Sequence, residues 1–383
     1  MQYRKLGKTG LMVSEIGFGG EWLERHEKAD SVALIRYAHR LGINIIDCWM
    51  PDPKSRDIIG EAIAEDRAGW IVQGHIGSTW QDGQYTRTRD VEQCRIAFED
   101  LLARLGTDYI DLGMIHYVDL ESDWETVSRP GPYYDYVQSL KAAGKIRHIG
   151  LSTHNPVIAA KAAASGLVSM ILFSVNPAFD LMPPTDNIEH YFADTYADGL
   201  NGIDPVRADM YRTCEQEGVG LTCMKPFAGG RLFDANRSPF GMALTPVQCV
   251  HYCLTRPAVA SVLCGYDTPD QVDAAIAYET ADDAEKDYAS ALAAAPQHSF
   301  AGGECTYCGH CRPCPSEIDI AMVNKLYDLA RMQPEVPASI RAHYLSLEHH
   351  ASECIGCRGC ERRCPFGVQV ADRMASTAAL FGQ

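Results

Sequence analysis

Eight cysteines near the C-terminal end constrain this chain more than any other feature. Cys305, Cys308, Cys311 and Cys314 stand three apart and are followed by Pro315. Cys354, Cys357, Cys360 and Cys364 begin forty residues later and are followed by Pro365. Thiolates at this spacing wrap one 4Fe–4S cubane, three from the run and a fourth from elsewhere. Where two such runs occur together, the fourth Cys of each ligates the other cluster. The expected sets are therefore Cys305, Cys308, Cys311 and Cys364 for one cluster, and Cys354, Cys357, Cys360 and Cys314 for the second. Zinc is the rival, because four thiolates also fit a tetrahedral ion. Three equally spaced Cys with a distal Cys-Pro, twice over, is not the usual zinc pattern. A disulfide framework belongs to secreted chains, and nothing else here has that character.

Composition bounds the rest. The chain has 383 residues, 46% hydrophobic and 22% charged, which is ordinary for a water-soluble globular protein. That length suits a large domain over 1–295 and a smaller one over 296–383. A formal charge of −16 argues against a nucleic-acid partner. Cys48, Cys94, Cys214, Cys223, Cys249, Cys253 and Cys264 are scattered and are expected to be reduced and buried. The opening MQYRKLGKTG has no apolar core of a signal peptide, and no apolar run approaches a membrane span. The expected setting is the cytoplasm, with no membrane partner, in an organism living with little oxygen.

Residues 3–13 read as a hairpin turning at GKTG. After it, apolar runs alternate with helical patterns. The runs are 16–18, 43–47, 70–76, 110–115, 146–151, 170–174, 220–225 and 259–264, nearly continuous in Ile, Val, Leu and Met. Strands buried on both faces have that composition. Helical patterns cover 30–41, 55–64, 90–105, 133–143 and 204–217. Eight strand–helix units predict a closed α/β (β/α)8 TIM barrel, followed by a small helical iron–sulfur domain. A doubly wound sheet would want G-x-G-x-x-G after its first strand, and Gly17, Gly19 and Gly20 lack that spacing. The 176–202 connection carries no clear helix, and a loop of that size over a barrel mouth reads as a lid or a binding loop. A terminal helix is expected over 282–295, a linker over 296–303, and helices over 318–332 and 337–351.

Reactive groups in such a barrel lie at the C-terminal ends of its strands. Those ends carry Asp47, His75, His116, Ser152, Asn176, Lys225 and the pair Gly265-Tyr266. An acid, two imidazoles and an ammonium on one mouth form a set able to move protons. An imidazole titrates near pH 6.5, so a histidine-set limb is expected between about pH 6 and 8.

Residues 1–280 resemble the aldo/keto reductase family. The segments YRKLGKTGLMVSEIGFGG, GINIIDCWMPDPKSRDIIGEAI, LLARLGTDYIDLGMIH, GKIRHIGLSTHNP and MKPFAGGRL carry the likeness. With the cysteine tail, the whole chain resembles the branch of that family with an appended two-cluster ferredoxin-type domain. The family tetrad of Asp, Tyr, Lys and His reduces carbonyls with NADPH. Asp47 and His116 match two of its members, while Asp52 stands at the Tyr position and His75 at the Lys position. The resemblance thus places Asp47, Asp52, His75 and His116 in catalysis. It places Ser152 at a nicotinamide, with Asn176 beside it, and Lys225, Gly229 and Gly230 at a phosphate. Thr153 and Ala275 replace two common Asn residues, and MILFSVN lacks the usual Gln. NAD(P)H is therefore a possible cofactor beside the two clusters. The expected activity is reduction or reductive cleavage of a small organic substrate. Electrons would come from a ferredoxin, a flavoprotein or bound NAD(P)H. Two alternatives stand beside it: a conventional NADPH-dependent carbonyl reductase, and a non-catalytic relay or redox-sensing subunit. Arg358, Arg362 and Arg363, beside the second cysteine run, are expected to raise a cluster's potential or dock an acidic carrier.

Overall fold

The computed structural model describes residues 1–383 apart from 22, 193–195, 197–199, 299, 301–302 and 333. Its strands are β1 (Tyr3–Lys5), β2 (Met12–Ser14), β3 (Ile16–Gly19), β4 (Ile45–Cys48), β5 (Ile71–Ile76) and β6 (Ser78–Gln81). They continue as β7 (Gln84–Arg87), β8 (Ile110–Ile115), β9 (Ile146–Thr153), β10 (Met170–Ser174), β11 (Gly220–Met224) and β12 (Val259–Gly265). Strands β3, β4, β5, β8, β9, β10, β11 and β12 pair in parallel in that order, and β12 closes back on β3. This is the expected (β/α)8 barrel. Its strands are apolar on both sides because each faces two cores. Ile45, Ile71, Leu112, Met114, Met170, Leu172 and Leu263 fill the interior, where Leu6 and Val13 of the β1–β2 hairpin join them. A larger outer shell, including Phe98, Leu101, Ile158 and Val250, lies under the helices.

The hairpin plugs the N-terminal end of the barrel. The Lys8 N–H donates to Gly218 O at 2.7 Å, just before β11 begins. A Cβ on Gly7 would stand 2.3 Å from Gly220 N, so only glycine allows this approach. Helix starts follow local chemistry. Pro53, Pro132, Pro156, Pro205, Pro246 and Pro269 sit in first turns, where a missing N–H costs nothing.

Several boundaries differ from expectation. Helix 282–295 is shortened to Tyr288–Ala294, because Asp287 caps it by accepting from Ser290 N at 2.7 Å. The pair over 318–332 and 337–351 is Ile320–Ala330 and Ala338–Leu345, joined in the C-terminal domain by a further helix, Val370–Phe381. The 176–202 connection holds a short helix, Pro177–Asp180, and a 3-10 turn, Ile188–Phe192. Residues 193–195 and 197–199 of that connection, and 299 and 301–302 of the linker, lie outside the described residues. Strands β6 and β7 form a second hairpin that the sequence reading passed over. It turns at Asp82 and Gly83, with φ of 52° and 75°. Among the described residues, no helix is long and apolar enough to cross a membrane.

Candidate active site and metal centre

A cavity of about 720 Å³ opens at the C-terminal ends of the strands. Asp47 at the end of β4, His75 in β5 and His116 just after β8 all line it, and each is buried. They form one hydrogen-bonded line. His75 Nε2 lies 3.0 Å from Asp47 Oδ1, and His75 Nδ1 lies 2.7 Å from His116 Nδ1. The line continues where no sequence expectation stood: Tyr85 Oη, on β7, lies 2.7 Å from His116 Nε2. Three buried groups thus end in a phenol that is 37% exposed. Asp47 is anchored from within the barrel. Gln73 Nε2 donates to its Oδ1 at 3.0 Å, and Thr222 Oγ1 from β11 donates to Gln73 Oε1 at 2.9 Å. The Arg89 guanidinium holds the His116 carbonyl at 2.6 Å.

The expectation of a histidine titrating at pH 6 to 8 is corrected for His116. Burial, then the neighbouring His75 and Arg89, push its pKa well below 6.5. Tyr85 is pushed above its ordinary value, again mainly by burial.

Asp52 is a second correction. It does not line the cavity. It caps helix Pro53–Ile63, accepting from Lys54 N at 2.7 Å and Ser55 N at 3.1 Å. Two free N–H groups of a helix start capture a carboxylate that the chain presents there. The phenol of the site is supplied instead by Tyr85. Its signal was the Asp-Gly pair between STWQ and QYTR, because a tight hairpin turn requires positive φ at both central residues.

Ser152, Lys225, Gly229 and Gly230 line the cavity. Ser152 Oγ accepts the Tyr117 N–H at 2.8 Å, which fixes the backbone after His116. Lys225, Gly229 and Gly230 have φ of 56°, 64° and 83°. Asn176 does not line the cavity. It is wholly buried, caps helix Pro177–Asp180 through Phe179 N at 2.8 Å, and donates to Lys225 O at 2.9 Å. It therefore positions the Lys225 turn. A third imidazole, His154, lines the cavity just beyond β9. Its Nδ1 lies 2.9 Å from Asp119 Oδ2, while its Nε2 is buried without a partner among the described residues.

The cysteines lie in two sets. Cys305, Cys308, Cys311 and Cys364 line one small cavity, and Cys314, Cys354, Cys357 and Cys360 line another. Each set takes three thiols from one run and one from the other. Among the described residues, no three His, Cys, Asp or Glu side chains converge as one metal ion requires. Four thiols around each of two cavities fit the donor chemistry of two 4Fe–4S clusters. Of the three arginines, Arg363 ties the two runs together. Arg363 Nη2 donates to Cys311 O and Pro313 O, both at 2.6 Å, and Arg362 Nη1 to Cys357 O at 3.3 Å. Arg358 pairs with Glu361 and Asp372. Cys364→Ser is therefore expected to alter the cluster held mainly by Cys305, Cys308 and Cys311. Paramagnetic resonance of the reduced, anaerobic protein reads this. A lesion confined to the other set contradicts the pairing.

The cysteine domain docks near the N-terminal rim of the barrel, away from the mouth. Lys325 pairs with Glu215 at 2.8 Å, and Arg256 Nη2 donates to Thr306 O at 2.5 Å. Glu215 and Arg256 lie shortly before β11 and β12 begin. Buried groups join this contact to the mouth. Arg256 stacks on Tyr252 at 4.5 Å, and Tyr252 donates to Asp180 at 2.7 Å. Asp180 takes Arg207 Nε at 2.8 Å, and Arg207 Nη1 donates to Tyr191 at 3.3 Å. Tyr191 stacks on Phe179 at 5.0 Å and Phe179 meets Phe192 at 5.3 Å, where Phe192 lines the cavity.

A closed parallel barrel with acid–base groups at its mouth, joined to a domain built on two thiol sets, defines an iron–sulfur oxidoreductase. The chain belongs to the aldo/keto reductase family, whose model matches residues 15–248. Residues 304–369 match a 4Fe-4S dicluster domain. The chain is 29% identical over 286 residues to the uncharacterized oxidoreductase YqkF of Bacillus subtilis, spanning 71% of this chain and 89% of that protein. It is 28% identical over 312 residues to L-galactose dehydrogenase of Arabidopsis thaliana, spanning 73% and 88%. The holo form of aldo-keto reductase AKR11C1 from Bacillus halodurans superposes with a TM-score of 0.58 at 21% identity, over 75% of this chain and 94% of that one. At that identity the likeness concerns the fold.

Proposed function

We propose that this chain reduces, or reductively cleaves, a small organic substrate in the barrel mouth, moving protons through the line Asp47–His75–His116–Tyr85. That unbroken line, ending at a cavity, is the observation that carries the reading. Bound at the two thiol sets, the clusters supply one electron each. The chain's own part is proton delivery. With one extra proton on the line, His75 donates from Nε2 to Asp47 and from Nδ1 to His116. His116 then donates from Nε2 to the Tyr85 oxygen, leaving the Tyr85 O–H free for a developing substrate oxyanion. When Tyr85 gives that proton, it takes one from His116, and His116 takes one from His75. Both rings and the phenol end neutral. A line of this kind can return a proton to Tyr85 without the family's Lys–Tyr pair. The electron donor in this reading is a small ferredoxin or flavoprotein.

A second reading, conventional NAD(P)H-dependent carbonyl reduction, draws support from the cavity's extension. It runs along Gly265 and along Lys225, Gly229 and Gly230, and the backbone N–H groups of the last three, at positive φ, suit a phosphate. One experiment separates the two. Anaerobic turnover of a model aldehyde is measured with dithionite-reduced methyl viologen and, separately, with NADPH. Viologen-driven turnover that vanishes with cluster loss supports the first reading. Turnover with NADPH alone, unchanged by cluster loss, overturns it.

A further inference from the structure

Asn324 is a polar residue on an otherwise apolar stretch of helix Ile320–Ala330. It is 1% exposed, stands near the buried Val323 and Leu326, and lines the cavity of the Cys305, Cys308, Cys311 and Cys364 set. A buried amide left without partners is costly, so its partners account for its presence there. Its Nδ2 lies 3.4 Å from Cys305 Sγ. The other end fixes how the amide is turned. Arg373, on helix Val370–Phe381, donates from Nε to Asn324 Oδ1 at 3.1 Å and from Nη2 to Asn324 O at 3.5 Å. A guanidinium carries no acceptor, so the amide oxygen must face it and the NH2 must face the sulfur. Arg373 is held in turn. Its Nη2 donates to Asp328 Oδ1 at 2.6 Å, and Tyr307 Oη donates to Asp328 Oδ2 at 2.8 Å. The N–H aimed at Cys305 is thus set in place before any cluster changes its charge.

The other thiol set lacks such a donor. Among the described residues, no side chain donates to a sulfur of Cys314, Cys354, Cys357 or Cys360. Arg358 and Arg363 line that cavity but donate elsewhere, to carboxylates and to carbonyl oxygens. Both are exposed, so water and salt screen their charge. Cys357 is exposed too, and Ile355 beside it is 69% exposed. The Cys305 set lies on the barrel side, because Thr306 takes the bond from Arg256. An electron added to a cluster of four thiolates places more negative charge on the sulfurs. An N–H donor to a sulfur stabilises that charge and raises the reduction potential. Burial works the other way, because dry surroundings disfavour the more highly charged reduced form. We propose that Asn324, oriented by Arg373, is a positioning residue that raises the potential of the cluster held by Cys305, Cys308, Cys311 and Cys364. It offsets the burial of that set and draws electrons from the exposed set toward the barrel. One electron moves, one cluster is oxidised as the other is reduced, and no bond forms or breaks. The inference rests on the two thiol sets and on the electron supply of the proposed function, not on its proton line.

The test is a potentiometric titration of the anaerobic, cluster-loaded protein, followed by paramagnetic resonance with no substrate present. Asn324→Leu keeps the volume and removes the N–H. One of the two midpoints is expected to fall by the equivalent of about tenfold in the electron-transfer equilibrium, about 59 mV for a one-electron couple, while the other stays. Asn324→Asp keeps the shape and the Arg373 contact but sets an oxygen against the sulfur, and the same midpoint should fall at least as far. If Asn324→Leu loses iron, Asn324→Ala is titrated in its place and read by the same outcomes. Unmoved midpoints, a rise, or an equal shift of both overturns the inference. A merely structural residue would not move one midpoint and spare the other in the same molecule. The expected shift in a protein that reduces no substrate upholds the inference and counts against the proposed reduction alone. Unmoved midpoints in a protein that turns over with reduced methyl viologen overturn the inference alone.

Discussion

Asp180→Ala is expected to cost the fold about 3–5 kcal/mol, the usual penalty for removing one partner of a buried ion pair. Asp180 and Arg207 are both wholly buried. Asp180 accepts from Arg207 Nε at 2.8 Å and from the hydroxyls of Tyr211 and Tyr252, both at 2.7 Å. The substitution strands a guanidinium and two phenols where water does not reach. Among the described residues, Arg207 keeps only its bonds to Ser174 O at 2.6 Å and Tyr191 at 3.3 Å. Against a total stability on the order of 5–15 kcal/mol for a globular domain, such a loss is severe. Asp180→Asn retains an acceptor and should cost less. Urea titration of the anaerobic protein measures both. A midpoint in Asp180→Ala within error of the wild type would show that the network adds nothing. Because the same residues run from the Arg256–Thr306 contact to Tyr191 and Phe179, the loss should also loosen the seat of the cysteine domain.

His75→Ala or His116→Ala is expected to lower turnover by a factor on the order of 10² or more, the usual size for a lost acid–base group. Either change breaks the line between Asp47 and Tyr85 at its middle. The pH dependence follows from the direction of the His116 shift. Burial holds that ring neutral down to well below pH 6.5. Its neutral form accepts a proton on one nitrogen while donating from the other, and the doubly protonated ring cannot accept. Activity should therefore fall on the acid side, below 6.5, with no His116 limb between pH 6.5 and 8. Stability moves the same way. The folded-state pKa is depressed, so the unfolded chain binds more protons as pH falls below about 6.5, and stability is lost as pH falls. A kcat profile with a limb near 7 that disappears in His116→Ala would contradict this account. Full activity in His75→Ala would remove the proton line altogether.

Some of this protein was readable from residue order, because the relevant interactions are local or periodic. Cysteine spacing is set by the reach of a few residues around a cluster, so the two runs announced their chemistry without a fold. The eight apolar runs announced a barrel, because strands sandwiched between an inner and an outer core must be apolar on both faces. Position at a strand's end was enough to bring Asp47, His75 and His116 to one mouth.

What residue order left open were contests between neighbours in space. Asp52 lay one short loop from the site, but the free N–H groups of Lys54 and Ser55 claimed it as a cap. Asn176 was likewise turned inward to hold Lys225 O. Tyr85 entered the site only because β7 folds back on β6 and brings its ring against Trp49 and His116, a long-range result of a local Asp-Gly turn. His154 is held by Asp119, thirty-five residues away in sequence and 2.9 Å away in space. The cysteine domain's place near the N-terminal rim depends on Lys325 meeting Glu215 and Arg256 meeting Thr306. No spacing rule encodes such meetings. They arise because each buried donor and acceptor must find a partner, and which partner is within reach is decided only when the barrel closes.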